Sequence, residues 1–214
     1  MPLARIKLNS ERFHMTMKIL VAGATGKTGR LLVSELKDRG AEPIALVRDG
    51  SDTSVLPEGT EERKGNLTNL QTGVCDGVDA VVFAAGSGGS TGPEMTEKVD
   101  REGAQRLVDL AREAKVDRFV MLSSVGADNP PEDHEMTHYL KAKQAADEHL
   151  QASGLTHSIL RPVALTDDPK TNAVNLGEGV DQKSEAHRAD VAAVLAEAAV
   201  TGRHDGKVQE MQTL

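Results

Sequence analysis

Aromatic side chains are almost missing from this 214-residue chain: it has no tryptophan, one tyrosine, Tyr139, and three phenylalanines, Phe13, Phe83 and Phe119. Base-stacking platforms and aromatic sugar-binding shelves are therefore nearly excluded. Cysteine is equally scarce. Cys75 stands alone, so neither an internal disulfide nor a multi-cysteine zinc or iron–sulfur site can form, which fits a reducing compartment and a cytoplasmic protein. Positive charge is in deficit, with 33 acidic against 25 basic residues and a formal net charge of -8. Such a chain lacks the field that neutralises nucleic-acid phosphates or anionic lipid surfaces, so neither is an expected partner. No apolar run approaches the roughly 18 residues a spanning helix needs.

What is present is an alternation of short apolar runs and amphipathic stretches, the pattern of βαβ units around a parallel sheet buried on both faces. Strands are expected at Lys18 to Ala22, Pro43 to Val47, Ala80 to Ala84, Arg118 to Leu122 and Thr156 to Leu160, with weaker ones at Glu61 to Lys64 and Lys207 to Met211. Helices are expected at about 27–39, 94–115, 137–153 and 188–200, the second with Val99, Leu107, Leu110 and Ala111 on one face. The fold class is thus α/β, a doubly wound, mostly parallel Rossmann-type sheet in a single domain spanning 17–214. Residues 1–16 read as a polar tail without the apolar core of a secretory signal. Residues 164–188 read as a short insertion on the substrate side, because open parallel sheets bind ligands at the carboxyl ends of their strands.

The first strand runs into GATGKTG, which places Gly23, Gly26 and Gly29 at a strand-to-helix turn. Glycines there permit a tight turn, close approach of an anion to the backbone, and close helix packing, while the helix amides face the anion. Thr25 and Thr28 add hydroxyl donors, and Lys27 adds a cation. The spacing is GxxGxxG and differs from both the GxGxxG fingerprint and the P-loop.

The ordered set GATGKTG (23–29), ALVRD (45–49), GNL (65–67), AAG (84–86), RFVMLSSVGA (118–127), YLKAK (139–143), LRP (160–162) and HRADVA (187–192) resembles the atypical and extended short-chain dehydrogenase/reductases. The resemblance is strongest to their small NmrA-like, sugar-epimerase-like members that bind NAD(P), and it covers about residues 17–212. It implies a cofactor held by the glycine loop, Arg48, Asn66, Leu67, Ala84, Ala85, Gly86, Lys143, Pro162 and Val163. Arg48 stands where an NAD-specific site usually has an acid, so NADP is favoured over NAD, although Asp49 and Asp52 weaken the basic character there. The sequence departs from the family's usual pattern at Asn66, in place of an aspartate, and at Val163, in place of a glycine.

Tyr139 and Lys143 lie four apart on an expected helix, hence on one face. An ammonium beside a phenol favours the phenolate, and the pair can move a hydroxyl proton. The resemblance implies catalytic roles for Ser124, Tyr139 and Lys143 on a small carbonyl or alcohol substrate, in a monomer or homodimer. Two alternatives stand beside this oxidoreductase or epimerase. One is a non-catalytic NmrA-like dinucleotide sensor with a protein partner. The other, remote, is a zinc hydrolase, because His134 to His138 reads HExxH; no metal is expected, since no third ligand follows at a suitable spacing.

Overall fold

In the computed structural model, which describes residues 16–88 and 91–214, the expected run of strands forms one sheet. The strands are β1 (Lys18–Ala22), β2 (Glu42–Val47), β3 (Glu61–Lys64), β4 (Ala80–Phe83), β5 (Arg118–Leu122), β6 (His157–Pro162), β7 (Ala164–Thr166), β8 (Val174–Leu176), β9 (Glu185–His187) and β10 (Lys207–Thr213). The large sheet has the order β3-β2-β1-β4-β5-β6-β10-β8. Its pairings are parallel except for β8 against β10. This is a doubly wound, Rossmann-like α/β domain, and the order reverses between β1 and β4, where such sheets open a crevice for a ligand.

Alternation along each strand divides the core in two. Ile19 and Val21 point to the face covered by α1 (Lys27–Asp38) and α5 (Arg188–Thr201), with Leu32, Leu36, Val191 and Leu195 packed on them. Leu20 and Ala22 point to the other face, toward Leu107, Ala111, Ala146 and Leu150. Those residues come from α3 (Ala104–Glu113) and α4 (Thr137–Ala152). The period-2 pattern thus buries both faces of the central strands. The edge strand β3, EERK, is mostly polar and exposed, as an unprotected edge should be.

Two features differ from the sequence pattern. The helix expected over 94–115 is a short α2 (Pro93–Thr96), a π-helical stretch Glu97–Gly103 and then α3. Asp100 is buried while Val99 is only half-buried. The patternless insertion contains β7, β8 and β9, each three residues long and too short to show a period. The polar tail lies outside the described residues apart from Thr16. Among the described residues no helix is long and apolar enough to cross a membrane.

The insertion is fastened by the buried Asp190 of α5. Its carboxylate accepts from Thr171 N (3.1 Å), Asn172 N (2.8 Å) and Thr171 Oγ1 (3.1 Å), and from Thr213 Oγ1 of β10 at 3.3 Å. Asp190→Ala strands these donors, so it should lower unfolding free energy by about 2–4 kcal/mol in urea titration. It should also speed proteolytic cutting within 167–184.

Candidate functional site

The glycine loop works through close backbone contact. Gly23 adopts φ +82, and a Cβ on it would lie 2.6 Å from Ala85 Cα and 2.8 Å from the carbonyl carbon of Ala84. The carboxyl ends of β1 and β4 therefore meet with no room for a side chain. Gly26 N donates to Gly23 O at 3.0 Å, closing the turn, and Gly26 is the N-cap of α1. A Cβ on Gly29 would lie 2.0 Å from Gly23 O and 2.9 Å from Ala24 Cα, so the third glycine lets the helix pack directly on the turn that follows β1. No acid stands in the first turn of α1, leaving its amides and positive dipole end for an anion.

Beside this loop lies a cleft of about 710 Å³. Gly23, Thr25, Gly26, Arg48, Asn66, Leu67, Ala84, Ala85 and Gly86 from the expected set line it, with Leu46, Ser51, Gly65, Thr68, Ser87, Thr91, Met95, Lys98, Val99 and Glu102. Arg48 is exposed at the end of β2. Asn66 Oδ1 accepts from Thr68 N (3.1 Å) and Thr68 Oγ1 (3.0 Å), capping a short 3₁₀ turn at Leu67–Asn69. Its carbonyl oxygen is thus already used within the loop. The glycine cradle and the volume of the cleft suit the phosphates and adenosine half of a dinucleotide.

The remaining expected residues lie outside that lining. Thr28 and Gly29 are buried against the loop. Lys27 pairs with Asp167 of the insertion at 2.5 Å, and Asp167 also accepts from Arg188 Nη1 at 2.6 Å. Lys27 first, then burial, then Arg188 act on the Asp167 carboxyl, and the balance holds it below the ordinary range. Pro162 ends β6; Val163 is buried, with its N donating to Met211 O at 3.0 Å. Val163 has no positive φ, so the backbone after LRP does not adopt the left-handed turn that a glycine would favour.

Tyr139, half-buried, and Lys143 lie one turn apart on α4, with the Lys143 Nζ 5.6 Å from the tyrosine ring centroid. Lys143 is 2% exposed. Its ammonium donates to Leu122 O (3.3 Å) and to Ala85 O (3.4 Å), a residue of the cleft wall, and meets Asp100 Oδ1 at 3.1 Å. Burial alone would push the ammonium down; Tyr139 in its anionic form, Asp100 and Asp147 outweigh it and hold Lys143 above the ordinary lysine range. Ser124, half-buried after β5, donates from Oγ to Val125 O at 3.3 Å.

Behind this pair lies a second buried group. Asp147 Oδ2 accepts from Ser123 Oγ at 2.8 Å and from Arg161 Nε at 3.0 Å. Burial pushes the Asp147 carboxyl up, against the downward pull of Ser123 and Arg161. Neither Asp100 nor Asp147 was singled out by sequence reasoning. For Asp100 the signal was an acid seven residues before Leu107 and eleven before Ala111, on the stripe that a helix buries.

The HExxH residues do not share a helix face, because α4 begins at Thr137 and His134 precedes it. His134 Nδ1 accepts from Met136 N at 3.1 Å. Among the described residues no group of three or more His, Cys, Asp or Glu side chains could hold a metal ion.

Residues 23–201 match the model of a family described as NAD(P)H-binding. The uncharacterized sugar epimerase YhfK of Bacillus subtilis is 37% identical over 172 residues, covering 78% of this chain and 80% of that one. A Bacillus halodurans structure, provisionally named an NAD-dependent epimerase/dehydratase, is 36% identical with a TM-score of 0.85 over 92% of this chain and 94% of that one. The oxidoreductase ylbE of Lactococcus lactis is 27% identical, with a TM-score of 0.79 over 92% of this chain and 91% of that one.

The close approach at the loop has a measurable consequence. Gly23→Ala forces a Cβ into the β4 backbone at a positive φ, so thermal or urea unfolding should show a loss of about 2 kcal/mol or more. Arg48→Ala, a change at the exposed rim, should leave the melting temperature unchanged.

Proposed function

The chain belongs to the NAD(P)H-binding family of atypical short-chain dehydrogenase/reductases, and from that premise we propose that it is an NADP(H)-preferring oxidoreductase or epimerase acting on a small carbonyl or alcohol. The observation that carries the reading is that Lys143 donates to Ala85 O, a wall residue of the dinucleotide-sized cleft, while Tyr139 sits one helical turn before it. The names of YhfK and ylbE support the same two reaction classes.

The glycine loop and the start of α1 hold the pyrophosphate, and Arg48 offers its planar fork to a 2′-phosphate. When bound, the nicotinamide supplies or takes the hydride. Tyr139 Oη moves the hydroxyl proton of the substrate, Ser124 Oγ orients the reacting oxygen, and Lys143 stabilises the phenolate that proton transfer leaves behind. A site with few aromatics and a short insertion suits a small substrate.

The sensor reading draws on a different observation, the near-complete burial of Lys143 and its commitment to Asp100 and two carbonyls. Turnover separates the two. Screening small carbonyl compounds and quinones for NADPH consumption should find a substrate for the native protein, with Tyr139→Phe abolishing turnover and keeping cofactor affinity within about 1 kcal/mol. Tight cofactor binding with no turnover by the native protein against any of them would select the sensor.

Cofactor choice is tested by calorimetric titration with both dinucleotides. Loss of a charge-assisted contact in Arg48→Ala should cost NADP(H) about 1.5–3 kcal/mol and leave NAD(H) nearly untouched. Equal native affinities, unchanged by the substitution, would overturn the NADP assignment.

A further inference from the structure

Asn66 meets the cleft as a donor only. Its carbonyl oxygen has two lone pairs, and Thr68 N at 3.1 Å and Thr68 Oγ1 at 3.0 Å take both. A backbone N–H donates and never accepts, so the amide cannot be turned over, and Oδ1 must face Thr68. What remains for a ligand is the amide NH2, which has no lone pair to offer. A carboxylate at this position could cap the turn with one oxygen and keep the other as an acceptor; asparagine cannot.

An acceptor stands on the neighbouring element. The stretch Glu97–Gly103 packs on the same turn so closely that a Cβ on Gly103 would lie 2.9 Å from Leu67 O and 3.0 Å from Leu67 Cβ. Glu102, the residue before that contact, lines the cleft together with Asn66, Leu67 and Thr68, and among the described residues it is the one carboxylate in the lining. The cations beside it in the chain are engaged elsewhere. Lys98 pairs with Glu94 at 2.7 Å and Arg101 with Glu97 at 2.7 Å.

A purine base presents a two-part edge. In adenine the 6-amino group donates and the adjacent ring nitrogen accepts; in hypoxanthine the 6-oxo group accepts and the ring nitrogen carries a proton. The NH2 of Asn66 can serve the adenine ring nitrogen but has nothing for the amino group. A carboxylate accepts from that amino group and opposes a 6-oxo oxygen, lone pair against lone pair.

We propose that Glu102, in place of position 66, accepts the hydrogen bond of the adenine 6-amino group, and so determines which base the cleft takes: an adenine dinucleotide over its hypoxanthine counterpart. This rests on the dinucleotide-binding part of the proposed function and holds with or without turnover.

Calorimetric titration with NADP+ and with the same molecule carrying hypoxanthine, repeated with the NAD+ pair, reads the preference as a ratio of affinities within each pair. The native chain should favour adenine by about tenfold or more. The amide of Glu102→Gln can accept from an amino group or donate to a 6-oxo group, so there the ratio should fall to about twofold or less. Glu102 is exposed, and the variant should melt with the native protein. Adding Asn66→Asp to Glu102→Gln returns an acceptor to the turn and should restore the preference.

Equal native affinities for the two bases overturn the inference and leave the dinucleotide reading standing. A preference that survives Glu102→Gln overturns it as well, because a backbone carbonyl then serves the amino group. A ratio that Asn66→Asp does not restore overturns the exchange of roles between the two positions. Failure of the native chain to bind any of the four dinucleotides removes the proposed function and the inference together.

Discussion

Lys143, Asp100, Asp147 and Arg161 bring two basic and two acidic side chains together behind the cleft, the first three buried and Arg161 half-buried, and the elements that carry them depend on how those groups are paired. Asp100 comes from the π stretch, Lys143 and Asp147 from α4, and Arg161 from β6; their neutral partners are Ser87, Ala85, Leu122 and Ser123. Removing one member of such a set leaves a buried charge uncompensated, a loss of about 3–5 kcal/mol in comparable cases. Replacing the whole set with well-packed apolar side chains is often neutral or stabilising. Stability alone therefore does not explain why four ionisable groups stand behind a ligand cleft. Under the proposed oxidoreductase or epimerase reading, a lysine kept charged beside a phenol does.

The period of the pattern made most of the fold legible. β1 and β5 have the bounds that their apolar runs predict, β3 those of the weaker strand expected over 61–64, and the helices over 27–38, 137–152 and 188–201 differ from expectation by one residue at their ends. The glycine loop was legible for a similar reason, because its constraint is local: the turn, the helix start and the packing glycine lie within seven residues. The π stretch was not. Its hydrogen-bond register follows from what Asp100 and the adjoining residues meet in α4 and the cleft wall, and a window of sequence contains neither. The three short strands of the insertion were missed because three residues carry no period, and their positions depend on distant anchors such as Asp190 and β10.

At the site, residues defined by backbone geometry were easier to find than those defined by charge balance. The motif pointed to Lys143 without its counter-ion, and to Arg161 only as part of LRP. The resemblance put Asn66 among the residues that hold the cofactor, whereas the folded loop uses its carbonyl oxygen as a cap for Thr68. Composition cannot show such competition between a ligand and a neighbouring amide. It appears only when the donors are in place.

The strength of the contacts also divides the site by purpose. Its base is held by buried pairs and by strand ends that exclude even a methyl group at Gly23. Its rim is held by exposed pairs: Lys27 with Asp167, Arg188 with Asp167, and Lys98 with Glu94. Solvent screens exposed pairs, so they are cheaply exchanged. A phosphate arriving at the glycine loop can draw Lys27 from Asp167 without disturbing the packed base, and Asp167 keeps Arg188 as its partner. The same anion could not draw Lys143 away from Asp100 without leaving a carboxylate stranded in the core. An adjustment to a ligand would therefore cost less at the rim, including the insertion that carries Asp167, than at the buried Lys143 pair.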